Sequence, residues 1–217
     1  MQQLSFHEVE PQLLDDQDNP TAVRTSAAAA GPDAAPRASL KLWCASYNLG
    51  EAAPPTADEL RRWLPRGRDV YCVALQECLA PDAFAAALCA AVDGDYVLSR
   101  RSLGSARKEL GYHGFIALFV LVERRHVTSM AWQELTVAHS TVRRGKKVLG
   151  IRALTAANKG AVGTACRFHG TTIAFVGAHL NSDKRGVSKL EKRIRDTRYV
   201  CEGIELGFDA LGFGLEA

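Results

Sequence analysis

The sequence predicts a layered α/β domain. Three observations carry that prediction: a nearly continuous apolar run of strand length at Val70 to Leu75, a helix-type segment on each side of it, and an earlier strand-like stretch at Leu40 to Tyr47. In the earlier stretch Leu40, Leu42 and Cys44 alternate with Lys41, Trp43 and Ala45, which marks a first strand. Thr56-Ala57-Asp58-Glu59 fits a capping box, in which Thr56 caps the Glu59 amide while the Glu59 carboxylate reaches back, so a short helix should run to Leu64 before Pro65 and Gly67 end it. Pro81-Asp82 opens an alanine-rich helix that should reach Val92. The resulting order of strand, helix, strand, helix is that of a layered fold.

From Gly114 onward the texture changes. Phe115 to Val122 and Val127 to Leu135 read as antiparallel strands, followed by a basic turn. Ala161 to Phe168 and Thr171 to Ala178 flank His169-Gly170, a two-residue hairpin connection in which the glycine should take the positive φ. Val187, Leu190, Ile194, Thr197 and Cys201 recur at spacings of three and four, and predict an amphipathic helix that buries this stripe and leaves Lys189, Lys192, Arg193 and Arg195 on other faces.

Composition bounds the function. With 217 residues, 47% hydrophobic and 24% charged, the chain can bury one sizeable core, and no apolar run reaches the roughly 18 residues of a membrane span. Residues 1–39 combine acidic side chains, Ala27 to Ala30 and the prolines Pro20, Pro32 and Pro36 without apolar periodicity, which predicts a disordered leader. That leader has no basic start and apolar stretch of the secretory type, so a cytoplasmic location is expected. Six scattered cysteines without a Cys-x-x-Cys pair read as reduced thiols. The net charge of +3 is unevenly spread. Residues 1–40 hold six acidic and two basic side chains, leaving 25 basic and 18 acidic, a net +7, on the rest. Arg143 to Lys147 and Lys184 to Arg198 concentrate that charge, which suits phosphate-rich partners and, equally, a solvated hairpin tip or helix face.

Three polar residues stand just past apolar strands, where open α/β sheets place ligands: Asn48, Glu77 and His179. The Asn48 amide oxygen and the Glu77 carboxylate are hard donors suited to Mg²⁺, and the His179 imidazole could donate a hydrogen bond or a proton to a phosphate. Singly, each also has a structural reading: a turn signal for Asn48, an exposed strand end for Glu77 and a structural histidine for His179.

Taken in order, these pieces resemble the inositol polyphosphate 5-phosphatase family of the endonuclease/exonuclease/phosphatase superfamily. Leu42 to Gly50 is similar to its opening strand and Asn motif, and Asp69 to Glu77 to its metal-binding strand ending in Gln-Glu. Asn158-Lys159-Gly160 resembles its Asn-Lys-Gly signature, Gly177-Ala178-His179-Leu180 its His-Leu motif, and Leu190 to Asp196 the helix that follows. The resemblance spans residues 40–206. It implies a DNase I-like two-sheet sandwich flanked by helices, of which residues 40–217 would be roughly the first half. It further implies that Glu77 binds Mg²⁺ with Asn48 in the same polar shell, that His179 contacts the scissile phosphate, and that Asn158 and Lys159 line the phosphate-binding surface. The implied activity is Mg²⁺-dependent hydrolysis of the 5-phosphate of inositol polyphosphates or phosphoinositides, with peripheral association at acidic membranes and no nucleic-acid partner.

Two departures matter. Arg193-Ile194 stands where members commonly have Arg-Asn, and the later Gly-Asp-x-Asn-Tyr, aspartate-arginine and Ser-Asp-His motifs have no counterpart before Ala217. The chain alone is therefore expected to be inactive and to leave sheet surface uncovered. Two other readings stay open: a non-catalytic module that binds acidic membranes, and a nuclease of the same superfamily.

Overall fold

The computed structural model describes residues 39–109, 112–148, 151–183 and 188–203, with backbone alone at 106–109, 112–113, 135–148, 151–158 and 203. The expected leader lies outside the described residues apart from Ser39.

Among the described residues, seven strands form two sheets. The first contains β1 (Leu42–Asn48), β2 (Val70–Cys78), β3 (Tyr96–Glu109) and β4 (Tyr112–Glu123), in the order β1-β2-β4-β3. Only β1 and β2 are parallel; β2 with β4 and β3 with β4 are antiparallel. The second contains β5 (Trp132–Val148), β6 (Ile151–Phe168) and β7 (Thr171–His179), antiparallel throughout.

Alternation along β2 explains the layering. Tyr71, Val73 and Leu75 face a core built with Leu60 of α1 (Ala57–Trp63) and Phe84, Ala85, Leu88 and Ala91 of α2 (Pro81–Ala91). Val70, Cys72 and Ala74 point the other way and meet Ile116, Leu118, Val120 and Val122 of β4, together with Trp132, Val162, Cys166, Phe168 and Phe175 of the second sheet. Both faces of β2 are thus covered, which is why its sequence is an apolar run without alternation. On the outer face of the second sheet, Ala161 packs with Val200 of α4 (Leu190–Gly203), alongside Ala178 and Leu180. The layers run helix, sheet, sheet, helix, as the sequence predicts for a DNase I-like sandwich.

The two sheets make a close contact at Gly177. A Cβ built there would lie 3.1 Å from Ala74 Cβ and 3.6 Å from Leu118 Cδ1, so only glycine lets β7 settle this near β2 and β4.

The two helices predicted on either side of β2 form as expected. Thr56 and Glu59 make the complete capping box, with Glu59 N–H donating to Thr56 Oγ1 at 3.3 Å and Thr56 N–H to Glu59 Oε2 at 2.8 Å. On β1, Trp43 and Tyr47 pack toward the helices while Leu42 and Cys44 are exposed. Cys44, Cys72, Cys78, Cys89, Cys166 and Cys201 are all free thiols, three of them buried.

Four readings need correction. The expected strand from Val127 begins only at Trp132, because Arg124–Thr128 forms a helical turn, α3, closed by Thr128 Oγ1 donating to the Arg124 carbonyl at 3.1 Å. Strand β3 went unassigned, since Arg100 and Arg101 interrupt its apolar pattern; the two pair instead with Asp82 and Glu134. In the β6–β7 hairpin, the residue with positive φ is His169 at 50°, held by its N–H donating to the Ala131 carbonyl at 2.7 Å; Gly170 is not in that region. The fourth concerns α4. Its buried side holds Asp196 and Val200, whereas Leu190 is 57% and Ile194 52% exposed and Cys201 is exposed. Polar contacts set this rotation: Asn181 Nδ2 donates to Asp196 Oδ2, and Arg193 pairs with Asp183 at 2.5 Å. Fixing a buried carboxylate outweighs burying two aliphatic side chains, because an unpaired buried charge costs several kcal/mol, roughly, against about 2 for each side chain.

Candidate active site

The site lies at one rim of the sandwich, where β2 and β7 end and β6 passes beside them at Lys159 and Gly160, and it begins with a defect in β2. Leu75 pairs with Ala117 and Cys78 with Phe115, so three steps on β2 oppose two on β4 and one residue is extra. Without that bulge Glu77 would share the Leu75 face and point into the helix-side core. Instead Cys78 takes the place in that core, and Glu77, at φ 52°, turns its carboxylate toward the second sheet. There Glu77 Oε1 is 3.5 Å from His179 Nε2.

His179 ends β7 on the face shared with Phe175 and Gly177, and its partner in register is Gly160, next to Lys159. Lys159 Nζ meets His179 Nε2. With the ammonium donating, the imidazole is neutral and carries its proton on Nδ1, which is buried without a hydrogen-bond partner. Burial first, and the Lys159 cation second, push the His179 pKa down to about 4 against the opposing pull of Glu77. The ring is therefore uncharged at neutral pH. Burial also lowers the Lys159 pKa, and Glu77 opposes it. The result is a partly buried carboxylate, ammonium and neutral imidazole in contact, opening at a strand terminus.

Asn48 ends β1 opposite Gln76 in the parallel register. Leu49 N–H donates to the Gln76 carbonyl at 2.9 Å and Glu51 N–H to the Glu77 carbonyl at 3.0 Å, so the two strand ends are tied together. The Asn48 Oδ1 accepts from Gly50 N–H at 2.8 Å, an Asx turn that leaves one lone pair. Asn158 precedes Lys159 in β6, and its side chain lies outside the described residues. The backbone of Arg143 and Arg144 pairs with Gly160 and Lys159, which brings the basic run of β5 to the same rim as part of a strand, not a turn.

Glu77 and Asn48 together offer hard oxygen donors at a partly exposed rim, a donor set that fits a divalent cation of the Mg²⁺ type. Asp69, Glu123 and His126 also meet, at the opposite end of β2. That group is already satisfied: Asp69 accepts from Lys41 N–H at 2.7 Å and pairs with Arg125 at 2.5 Å and His126 at 3.1 Å, joining β1, β2 and α3.

Sequence reasoning missed the bulge that aims Glu77 and the contact of Asn181, just past β7, with Asp196 of α4. Gly104 and Gly114, isolated glycines inside strands, were the available signal for the first.

Comparison with known proteins agrees with this architecture. Residues 45–212 match the model of Endonuclease/Exonuclease/phosphatase family 2. No curated protein matches the chain. Among solved structures, the inositol polyphosphate 5-phosphatase domain of SPsynaptojanin, in complex with inositol (1,4)-bisphosphate and calcium ion, superposes with a TM-score of 0.56 at 21% identity, over 77% of this chain and 47% of that one. Zebrafish (D. rerio) TDP2 complexed with single-strand DNA product gives 0.41 at 14% identity, over 73% of this chain and 52% of that one. The chain thus spans about half the length of the structures it matches. Since the family model covers most of its length, the chain belongs to Endonuclease/Exonuclease/phosphatase family 2.

Proposed function

We propose that this chain supplies the Glu77, His179 and Lys159 portion of a Mg²⁺-dependent site that hydrolyses the 5-phosphate of inositol polyphosphates or phosphoinositides. The observation that carries the reading is the convergence of those three side chains at one rim, with Glu77 held in a left-handed conformation to reach it. A cation held by Glu77 and Asn48 would polarise the phosphoryl oxygens. Lys159 offsets negative charge on the phosphate, and once it turns onto the phosphate and the ring proton moves from Nδ1 to the freed Nε2, His179 hydrogen-bonds a phosphoryl oxygen or passes that proton to the leaving oxygen. Asn158 completes the phosphate-binding surface.

Titration calorimetry tests the reading with an inositol phosphate carrying a 5-phosphate and its counterpart lacking it. Mg²⁺-dependent preference for the first is expected, and its loss in Glu77→Gln and His179→Ala. Unchanged binding in both variants would sink the assignment.

The exposed side of α4 favours an added role at acidic membranes in the cytoplasm. Leu190 and Ile194 face solvent close to Lys192, Arg195 and Arg198, an arrangement suited to the boundary of an anionic bilayer. No described helix is long and apolar enough to cross a membrane. Co-sedimentation with phosphoinositide-containing vesicles should weaken as salt rises and on reversal of Lys192 and Arg195; salt-independent binding removes this role.

A further inference from the structure

Three backbones nest at the bulge. Gly114 has φ 93°, and a Cβ there would lie 3.1 Å from Glu77 Cα, 3.3 Å from Glu77 C and 3.6 Å from Cys78 N. Gly104, the next strand out, has φ 135°, and its Cβ would overlap the Gly114 carbonyl oxygen and lie 2.9 Å from Phe115 Cα. Two glycines on two successive strands therefore sit in one row behind Glu77, each with the space of its side chain filled by the backbone of the next. Glu77 itself has no glycine's freedom. A left-handed φ costs a residue that carries a Cβ roughly 1–2 kcal/mol, so the surrounding strands must impose it.

We propose that Gly114, backed by Gly104, is a positioning residue that holds Glu77 in its left-handed bulge and thereby aims the carboxylate at the cation site. The inference rests on the proposed reading of Glu77 as a metal ligand. An alanine at 114 forces Glu77 Cα and C away by several tenths of an ångström. The displacement acts at the root of the side chain, so the carboxylate moves further than the backbone does. Leu75 and Cys78, which lie on either side and are locked by their pairing to Ala117 and Phe115, confine the shift to the bulge.

Mn²⁺ titration followed by electron paramagnetic resonance of the free ion is the test, on the wild-type chain, Gly114→Ala, Gly104→Ala and a control, Gly67→Ala, which shares a positive φ, 67°, but whose Cβ meets nothing within 4 Å. Wild type and control should bind alike. Gly114→Ala should lose about 10- to 100-fold in affinity, the range for losing a group that orients a ligand, while still melting cooperatively, with a smaller loss for Gly104→Ala. Undiminished Mn²⁺ affinity in Gly114→Ala overturns the inference and leaves the metal reading standing. Absence of Mn²⁺ binding by the wild type overturns both. If Gly114→Ala does not fold, the double variant Glu77→Gly with Gly114→Ala decides: a restored cooperative melt supports the steric coupling, because glycine at 77 can yield, and continued failure to fold overturns it.

Discussion

Substituting Gly177 tests the contact that joins the two halves of the site. An alanine Cβ at 177 would lie 3.1 Å from Ala74 Cβ, whereas carbon atoms rest at about 3.5–4.0 Å, so the sheets must separate by about half an ångström or one strand must buckle. Overpacking of this kind costs about 1–3 kcal/mol. Against it, Gly→Ala reduces the freedom of the unfolded chain by about 0.4–1 kcal/mol, and the backbone at 177 is one that alanine can adopt. Gly177→Ala should therefore destabilise by about 1–2 kcal/mol in urea unfolding, with an unchanged slope. In an Ala74→Gly background the clash is gone and only the unfolded-state gain remains. There Gly177→Ala should be neutral or stabilising by about 0.5 kcal/mol, giving a coupling near 1.5–2 kcal/mol in the cycle. The same single variant should weaken binding at the site, because His179 lies two residues on, on the same face, 3.5 Å from Glu77. If the two substitutions add to within about 0.5 kcal/mol, the sheets are not in steric contact at Gly177 and the account of their approach is wrong.

Other expectations follow from separate parts of the molecule. Thr56→Ala removes the helix cap and should cost about 1 kcal/mol by thermal or urea unfolding, whereas a change below a few tenths would show that the capping box contributes nothing in solution. Burial works to raise the Asp69 pKa, but Lys41 N–H, His126 and Arg125 bring it from 3.8 to about 2. A carboxylate depressed in the folded state stabilises fully above its unfolded pKa and loses that effect as pH falls through the folded one. Wild type should thus exceed Asp69→Asn by about 2 kcal/mol at pH 6, and the gap should close between pH 4 and 2; a gap independent of pH would refute the linkage. On α4, Ile194→Ser should lie within about 0.5 kcal/mol of wild type and Val200→Ala should cost 1 kcal/mol or more, roughly, with the reverse order contradicting the rotation described above.

Much of this molecule is local, and the sequence by itself determined that part. The capping box at Thr56, the proline-led helix at Pro81 and the buried strand at Val70 each rest on contacts within a few residues or on one strand's own pattern. The same holds for the identities of Asn48, Glu77 and His179 as strand-end polar residues, since a polar side chain after an apolar run is visible without a fold. Tertiary structure decided what depends on distant partners. Alternation along β2 would send Glu77 into the helix-side core, and only pairing with β4 across the bulge turns it toward His179. Spacing alone selected Leu190 and Ile194 as the buried side of α4, yet the buried Asp196, fixed by Asn181 from a different element, rotated the helix away from them. Strand β3 carries too many arginines to read as apolar, and it is a strand because β4 supplies its hydrogen bonds and Asp82 and Glu134 its counter-charges. Periodicity reports what each segment would bury alone; which face it does bury is set by the charges and backbone groups that its neighbours leave to be satisfied.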